Sequence, residues 1–259
     1  MSDYRTTPAA RYGQTAGVAV DQGLRAYMLR VYNYMAIGLA ITGVAAWFIY
    51  TQSVTTDPAL AVAKYHNLML TELGRTLFVS PLKWLVMFAP LAMVFAFGAA
   101  LNRLSVSAAT TLFYAFAAMM GISISWIFIA YTPFSIVQTF LVTAVAFAGL
   151  SLWGYTTKKD LSAWGTFLIM GVIGLIVASI VNIFLQSPAM HFAISALGVL
   201  IFAGLTAYDT QNIKNTYLRL ANSDGDFLGK AAIMGALQLY LDFLNLFMFL
   251  LQFLGNNRE

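Results

Sequence analysis

The sequence predicts an all-α integral membrane protein, a bundle of seven transmembrane helices, and three observations carry that expectation. The chain is too apolar for a soluble domain: 60% of its 259 residues are hydrophobic and 9% are charged, against roughly 25% charged in ordinary globular proteins. Its apolar stretches come in runs of about 20 residues or in multiples of that length, the span of a hydrocarbon core about 30 Å thick. Its charges gather between those runs. The runs lack the two-residue alternation of a barrel strand, and backbone groups in lipid must be satisfied internally, so the spans are helices.

The elements follow in order. Residues 1–22 read as a disordered cytoplasmic tail, because "TTPAARYGQTAG" has neither a helical nor a strand period. No apolar core ahead of a cleavage site marks a signal peptide there. Residues 23–259 read as one transmembrane domain. Residues 31–50 and 84–101 supply the first two spans. Residues 104–157 carry no formal charge over 54 positions, too long for one span, and "YTPF" at 131–134 breaks them into spans 105–130 and 134–153, since a proline disfavours helix in the residue before it. Residues 161–208 are likewise uncharged over 48 positions and are interrupted at "QSPAMH", giving spans 164–185 and 190–209. The seventh is 231–254, long enough to tilt or to project beyond the bilayer. The connection 51–83 is the longest and reads as a surface segment with one short helix. Gly171, Gly174 and Ala178 in the fifth span, with Gly198 and Gly204 in the sixth, suit close helix contacts or are simply tolerated by lipid.

With the amino terminus cytoplasmic, the inner segments hold Arg5, Arg11, Arg25, Arg30, Arg103, Lys158, Lys159, Lys214, Arg219 and Lys230, and the outer ones only Lys64, Arg75, Lys83 and Arg258. This bias places the amino terminus inside and the carboxyl terminus outside. The net charge of +4 reflects that topology rather than nucleic-acid binding. Several chemistries are excluded. There is no cysteine, hence no disulfide, thiolate nucleophile or cysteine-ligated metal. His66 and His191 fall at surface or headgroup positions without metal-ligand spacing. Every lysine lies in a loop or at a span end, so a buried Schiff base has no candidate. No phosphate loop, GxSxG or HExxH occurs. No cofactor and no catalytic residue is expected.

Two acids remain at or within the spans. Asp242 lies inside "LQLYLDFLNLFMFLLQF" and Asp209 ends "FAGLTAYD". A carboxylate at the bilayer centre costs about 2.5–3.5 kcal/mol on insertion scales, which makes it a functional-site candidate. Gln238, Asp242, Asn245 and Gln252 follow at spacings of four, three and seven, along one face of the last helix. That polar stripe should face the bundle or a water-filled path. Asp209 reads either as a helix-end residue at the headgroups or as the partner of Asp242. They meet if the first turns of the last helix project below the lipid. Two carboxyls in contact in a low dielectric cannot both ionise cheaply, so they titrate as a pair and sense protons. Arg103 reads as an ordinary positive-inside arginine or as a latch that pairs with ionised Asp209.

Five segments carry a family resemblance: "RVYNYMAIGLAITG", "SPLKWLVMFAPLAMVFAFG", "GYTTKKDLSAWG", "AYDTQNIKN" and "ALQLYLDFLNLF". In this order and spacing they resemble the Bax inhibitor family of membrane proteins, its bacterial branch in particular, from Arg30 to Leu254. The resemblance implies a bundle whose last helix is surrounded by the other six. It implies a pH-sensing aspartate pair for a calcium leak, mapping onto Asp209 and Asp242, and a latch that falls on Arg103. It also implies an inner (plasma) membrane location and a membrane-anchored quality-control protease as a partner. No cell-death role is carried over, because the chain ends in "GNNRE" rather than a charged tail.

The expected function is therefore a pH-sensitive calcium or cation leak, in which protonation of the pair shifts a closed-to-open equilibrium. Asp209 and Asp242 with Gln238 and Asn245 make a poor calcium site, and weak, transient binding is what permeation requires. Expected partners are the lipid bilayer, calcium ions and protons. Two alternatives stay open. One is a non-transporting modulator of the protease; the other is an intramembrane aspartyl protease, against which stands the lack of a GxGD around Asp242.

Overall fold

The computed structural model describes residues 9–65, 67–221, 224–256 and 258, with side chains described from Asp21 onward except that of Asn102. The expectations for residues 1–8 and for His66 lie outside the described residues. Among the described residues, seven helices are long and apolar enough to cross a membrane. They are α1 (Ala9–Ser53), α2 (Leu82–Ala100), α3 (Val106–Ile124), α4 (Pro133–Thr156), α5 (Ser162–Leu185), α6 (Pro188–Leu220) and α7 (Gly225–Leu254). A short turn, Ile127–Ala130, prolongs α3.

The turn signals of the sequence prove to be helix starts. Thr132 and Ser187 cap α4 and α6, their hydroxyls accepting from Ser135 N and Met190 N, with Pro133 and Pro188 in the first turn. Proline fits there because its missing N–H would have had no helical partner. Ser105 caps α3 in the same way by accepting from Ala108 N. Helix α5 ends on Gln186, whose left-handed φ of 49° closes the chain after Asn182. Two ends differ from expectation. Helix α1 starts at Ala9, inside the segment read as a disordered tail. Helix α6 runs to Leu220, well past 209, because Ile213 and Tyr217 continue its buried face four residues apart.

The segment between α1 and α2 carries a three-stranded antiparallel sheet that sequence reading missed. Its strands are β1 (Val54–Thr55), β2 (Ala63–Tyr65) and β3 (Leu68–Leu70), with β3 central and Val54 opposite Leu70. Strands of two or three residues have no readable period. On the same side, Arg258 donates from its backbone to Ala130 O and from its guanidinium to Tyr50 Oη at 2.9 Å. The carboxyl end is thus pinned to the end of α1 and the turn that prolongs α3, opposite the start of α1.

Helix α7 is the most buried span, and α2 and α5 are the least. It packs chiefly on α6, α1, α4 and α3, while α2 reaches the bundle mainly through α3, and α5 through α6. Tyr240, fully buried, receives the rings of Phe113 and Phe116 edge-on, each 5.7 Å away. Phe243 receives Phe140 and Phe147. Glycines set several of these approaches. A Cβ on Gly154 would strike the Ala207 carbonyl, and one on Gly121 the Thr42 carbonyl. Gly171 lies against Ile201, Gly204 against Leu168 and Gly198 against Phe249, whereas Gly174 has open space around it.

Candidate functional site

Asp209 lies three turns before the end of α6 and Asp242 nearly five turns into α7. Both are therefore interior to their helices, and Asp209 is not a helix-end residue. The antiparallel packing of α6 on α7 brings the two carboxyls close enough to interact directly. Asp242 is 5% exposed and Asp209 is half-buried. Among the described residues no N–H or O–H group donates to Asp242 Oδ2. Two carboxylates cannot hydrogen-bond to each other, so the contact is a bond only while one of them carries a proton.

Among the described residues no ion pair to either acid is seen, whereas Arg75 pairs with Glu72 at 2.8 Å in the segment between α1 and α2. Arg103 is exposed in the 3-10 turn that follows α2. Leu101, not Arg103, turns inward at that end of α2, where it is buried beside Ile213. The structure therefore brings Asp209 to Asp242 but leaves Arg103 apart from both. No cluster of three or more potential metal ligands occurs among the described residues.

The polar stripe of α7 splits into separate environments. Gln238, one turn before Asp242, lines a cavity of about 320 Å³ with Tyr27, Ile213, Thr216 and Lys230. Asn245 turns back on its own helix and donates to Leu241 O at 2.9 Å. Gln252 accepts from Ser195 Oγ of α6 at 3.2 Å. His191, in the first turn of α6, is exposed.

Sequence reasoning missed the hydroxyl groups around the pair. Thr210, next to Asp209, donates to Thr206 O at 2.7 Å. A hydroxyl has a single proton, so Thr210 must accept from Ser151 of α4 at 2.9 Å, and Ser151 from Tyr32 of α1 at 2.5 Å. The file Tyr32, Ser151, Thr210 thus has one direction and ties three helices together. A second tie is built the same way. Thr42 Oγ1 lies 2.9 Å from the carbonyls of Gly38 and Ala117 and donates to them, so Tyr240 Oη donates to Thr42 at 2.6 Å.

The segment after Asp209 anchors the α4–α5 connection. Gln211 accepts from Leu161 N and donates to Lys159 O, both at 2.8 Å. Lys214 donates to Tyr155 O at 2.7 Å, and Gly165 makes room for the Tyr208 ring. The segments "GYTTKKDLSAWG" and "AYDTQNIKN" are thus two halves of one interface. A usable signal was present: Gln211 and Lys214 follow Asp209 by two and five residues, on a helix whose buried face continues through Ile213.

Comparison with known proteins gives a consistent result. A family profile described as inhibitor of apoptosis-promoting Bax1 matches residues 24–259. An uncharacterized protein of Caulobacter vibrioides is 48% identical over 255 residues, covering 98% of this chain and 96% of the relative. The inner membrane protein YbhL of Escherichia coli K12 is 41% identical over 236 residues, covering 91% of this chain and 94% of the relative. An uncharacterized protein of Rickettsia prowazekii is 42% identical over 240 residues, covering 92% and 93%.

Proposed function

The chain belongs to the Bax inhibitor family, and from that premise we propose that it is a pH-sensitive leak for calcium or similar cations, with Asp209 and Asp242 as its proton-sensing gate. The observation that carries this reading is the direct approach of the two carboxyls in the bundle interior, with no ion pair to either among the described residues. Such a pair has two arrangements. Holding one proton it is a hydrogen bond; holding none it is two like charges in a low dielectric, which repel. A proton is therefore enough to shift the packing of α6 on α7, a bistable element of the kind pH switches use.

The Gln238 cavity supports a path that approaches the pair from the Lys230 end of α7. Neither aspartate lines this cavity or the three other large ones. We read the conformation as closed, with the pair as the block. The same burial argues against an aspartyl protease, whose dyad must reach water and a peptide. Calcium would be cargo, held briefly by carboxylate and amide oxygens, since two acids fall short of the six to eight oxygens of a tight site. Arg103 would act as a latch only after a rearrangement that brings it to Asp209. An inner-membrane location agrees with the name of the Escherichia coli relative, and a cytoplasmic amino terminus with the basic residues on that side. A membrane-anchored protease is a further proposed partner.

The test is calcium flux in liposomes holding the purified protein, measured against pH for wild type, Asp209→Asn and Asp242→Asn. Wild type should respond to pH and each variant should lose that response. Profiles indistinguishable from wild type in both variants would refute the reading.

A further inference from the structure

A cavity of about 1090 Å³ is lined by neither aspartate. It is a groove between α1 and α4, floored by Phe147 of α4 and Phe243 of α7. The two helices stand apart along it, joined by the Tyr32 to Ser151 hydrogen bond. Small residues line both walls: Ala36, Ala40 and Gly43 on α1, and Ala144 and Ala148 on α4. Stripes of this kind usually let two membrane helices touch. Here they do not close an interface, and a Cβ added at Gly43 would meet nothing within 4 Å. The space they clear is unfilled by the protein.

The groove opens sideways, with Leu29, Val44 and Leu152 exposed along its edges. On α1 it extends from Arg25 to Val44, about 28 Å at 1.5 Å per residue and close to the roughly 30 Å of a hydrocarbon core. Its chemistry differs between the ends. The Val44 end is wholly apolar. The other end has the exposed Arg25 guanidinium on one wall and Tyr155 on the other, and Lys214 is bound to the Tyr155 carbonyl. Lys158 and Lys159 are exposed just beyond Tyr155. Asp21, Asp160, Asp224 and Asp226 at this end of the bundle are also exposed, and none forms an ion pair with Arg25 among the described residues.

We propose that this groove is a binding site for one anionic phospholipid, an acyl chain lying over Ala40, Ala148 and Phe243 and the phosphate held by Arg25. A soluble ligand would have to enter through lipid. A neutral lipid would leave the basic end unused. Any acyl chain can wet an apolar wall, so the content of the proposal is selective retention, which the positive rim supplies. It does not depend on the leak reading.

The test is native mass spectrometry of the full chain, purified in detergent and offered equimolar phosphatidylglycerol and phosphatidylcholine. Wild type should retain one phosphatidylglycerol, with about a fivefold preference of the order one arginine gives at an anionic surface. Arg25→Gln, at an exposed position, should keep lipid but bring the ratio to about one. Gly43→Phe with Ala148→Phe should lose the retained lipid, while Leu200→Phe on another face should not. A wild type without headgroup preference, an unchanged ratio in Arg25→Gln, or full retention in the groove-filling variant would overturn the proposal.

Discussion

The carboxyl of Asp242 on α7 meets that of Asp209 on α6 in the interior of the bundle, where no other group among the described residues donates to Asp242 Oδ2. A hydrogen bond between the two requires one shared proton. In Asp209→Asn the amide supplies a permanent donor to Asp242, so the contact no longer needs that proton. The melting temperature of wild type in detergent should fall as pH is raised through the titration of the pair, since the lost proton turns a bond into a repulsion. That of Asp209→Asn should change less over the same range. Parallel pH dependences would show that the pair does not carry the proton linkage.

The Tyr240 and Thr42 tie predicts an asymmetry between its two partners. Tyr240→Phe removes the donor and leaves Thr42 bonded to the Gly38 and Ala117 carbonyls, a loss of about 1 kcal/mol. Thr42→Val keeps the shape but strands the fully buried Tyr240 hydroxyl, which costs about 1–3 kcal/mol. Denaturant or thermal unfolding should therefore rank Thr42→Val below Tyr240→Phe. The reverse order would mean that Tyr240 has another acceptor.

These relationships mark the limit of what the sequence discloses. The spans are legible because uncharged runs and the "TP" and "SP" breaks are local signals. The continuation of α6 is not, since Lys214 and Arg219 read as loop until Ile213 and Tyr217 are seen to face the core. Asp242 announces itself by its cost in lipid, and its stripe can be traced by counting along one helix. That it touches Asp209 depends on the register of α6 against α7, which no spacing within either helix contains. The file from Tyr32 through Ser151 to Thr210 is equally hidden, because hydroxyl residues are common in apolar helices and only their meeting sets them apart. Arg103 shows the converse: a residue type and a side of the membrane suggested a partner, and the inward turn of Leu101 took its place.

Two glycines that look alike in sequence should behave differently. A Cβ on Gly154 would collide with the backbone carbonyl of Ala207, which cannot rotate away as a side chain can. Gly154→Ala should therefore push α4 from α6, strain the Ser151 to Thr210 bond and destabilise the protein by about 1–3 kcal/mol. Gly174→Ala, in open space on α5, should be neutral or slightly stabilising through helix propensity. Equal melting temperatures for the two variants would remove Gly154 as a determinant of that interface.

The connection between α4 and α5 carries two kinds of restraint that pH can separate. Gln211 holds it from α6 through uncharged bonds to Lys159 O and Leu161 N. Asp160, exposed, accepts from Ser162 N at 2.9 Å, and its hydrogen bonds to Ser162, side chain first and then backbone, hold its carboxyl below the usual carboxylate range. A depressed acid stabilises the fold above its unfolded pKa and loses that contribution as pH falls through the depressed value. Amide exchange, corrected for its intrinsic pH dependence, should thus show Ser162 protected from neutral pH down into the ordinary carboxylate range and released only below it. Asp160→Asn should abolish that acid transition. Gln211→Leu should instead expose the Leu161 amide at every pH, because no titrating group holds it. A Leu161 amide as protected in Gln211→Leu as in wild type would show that the connection stands without its tie to α6.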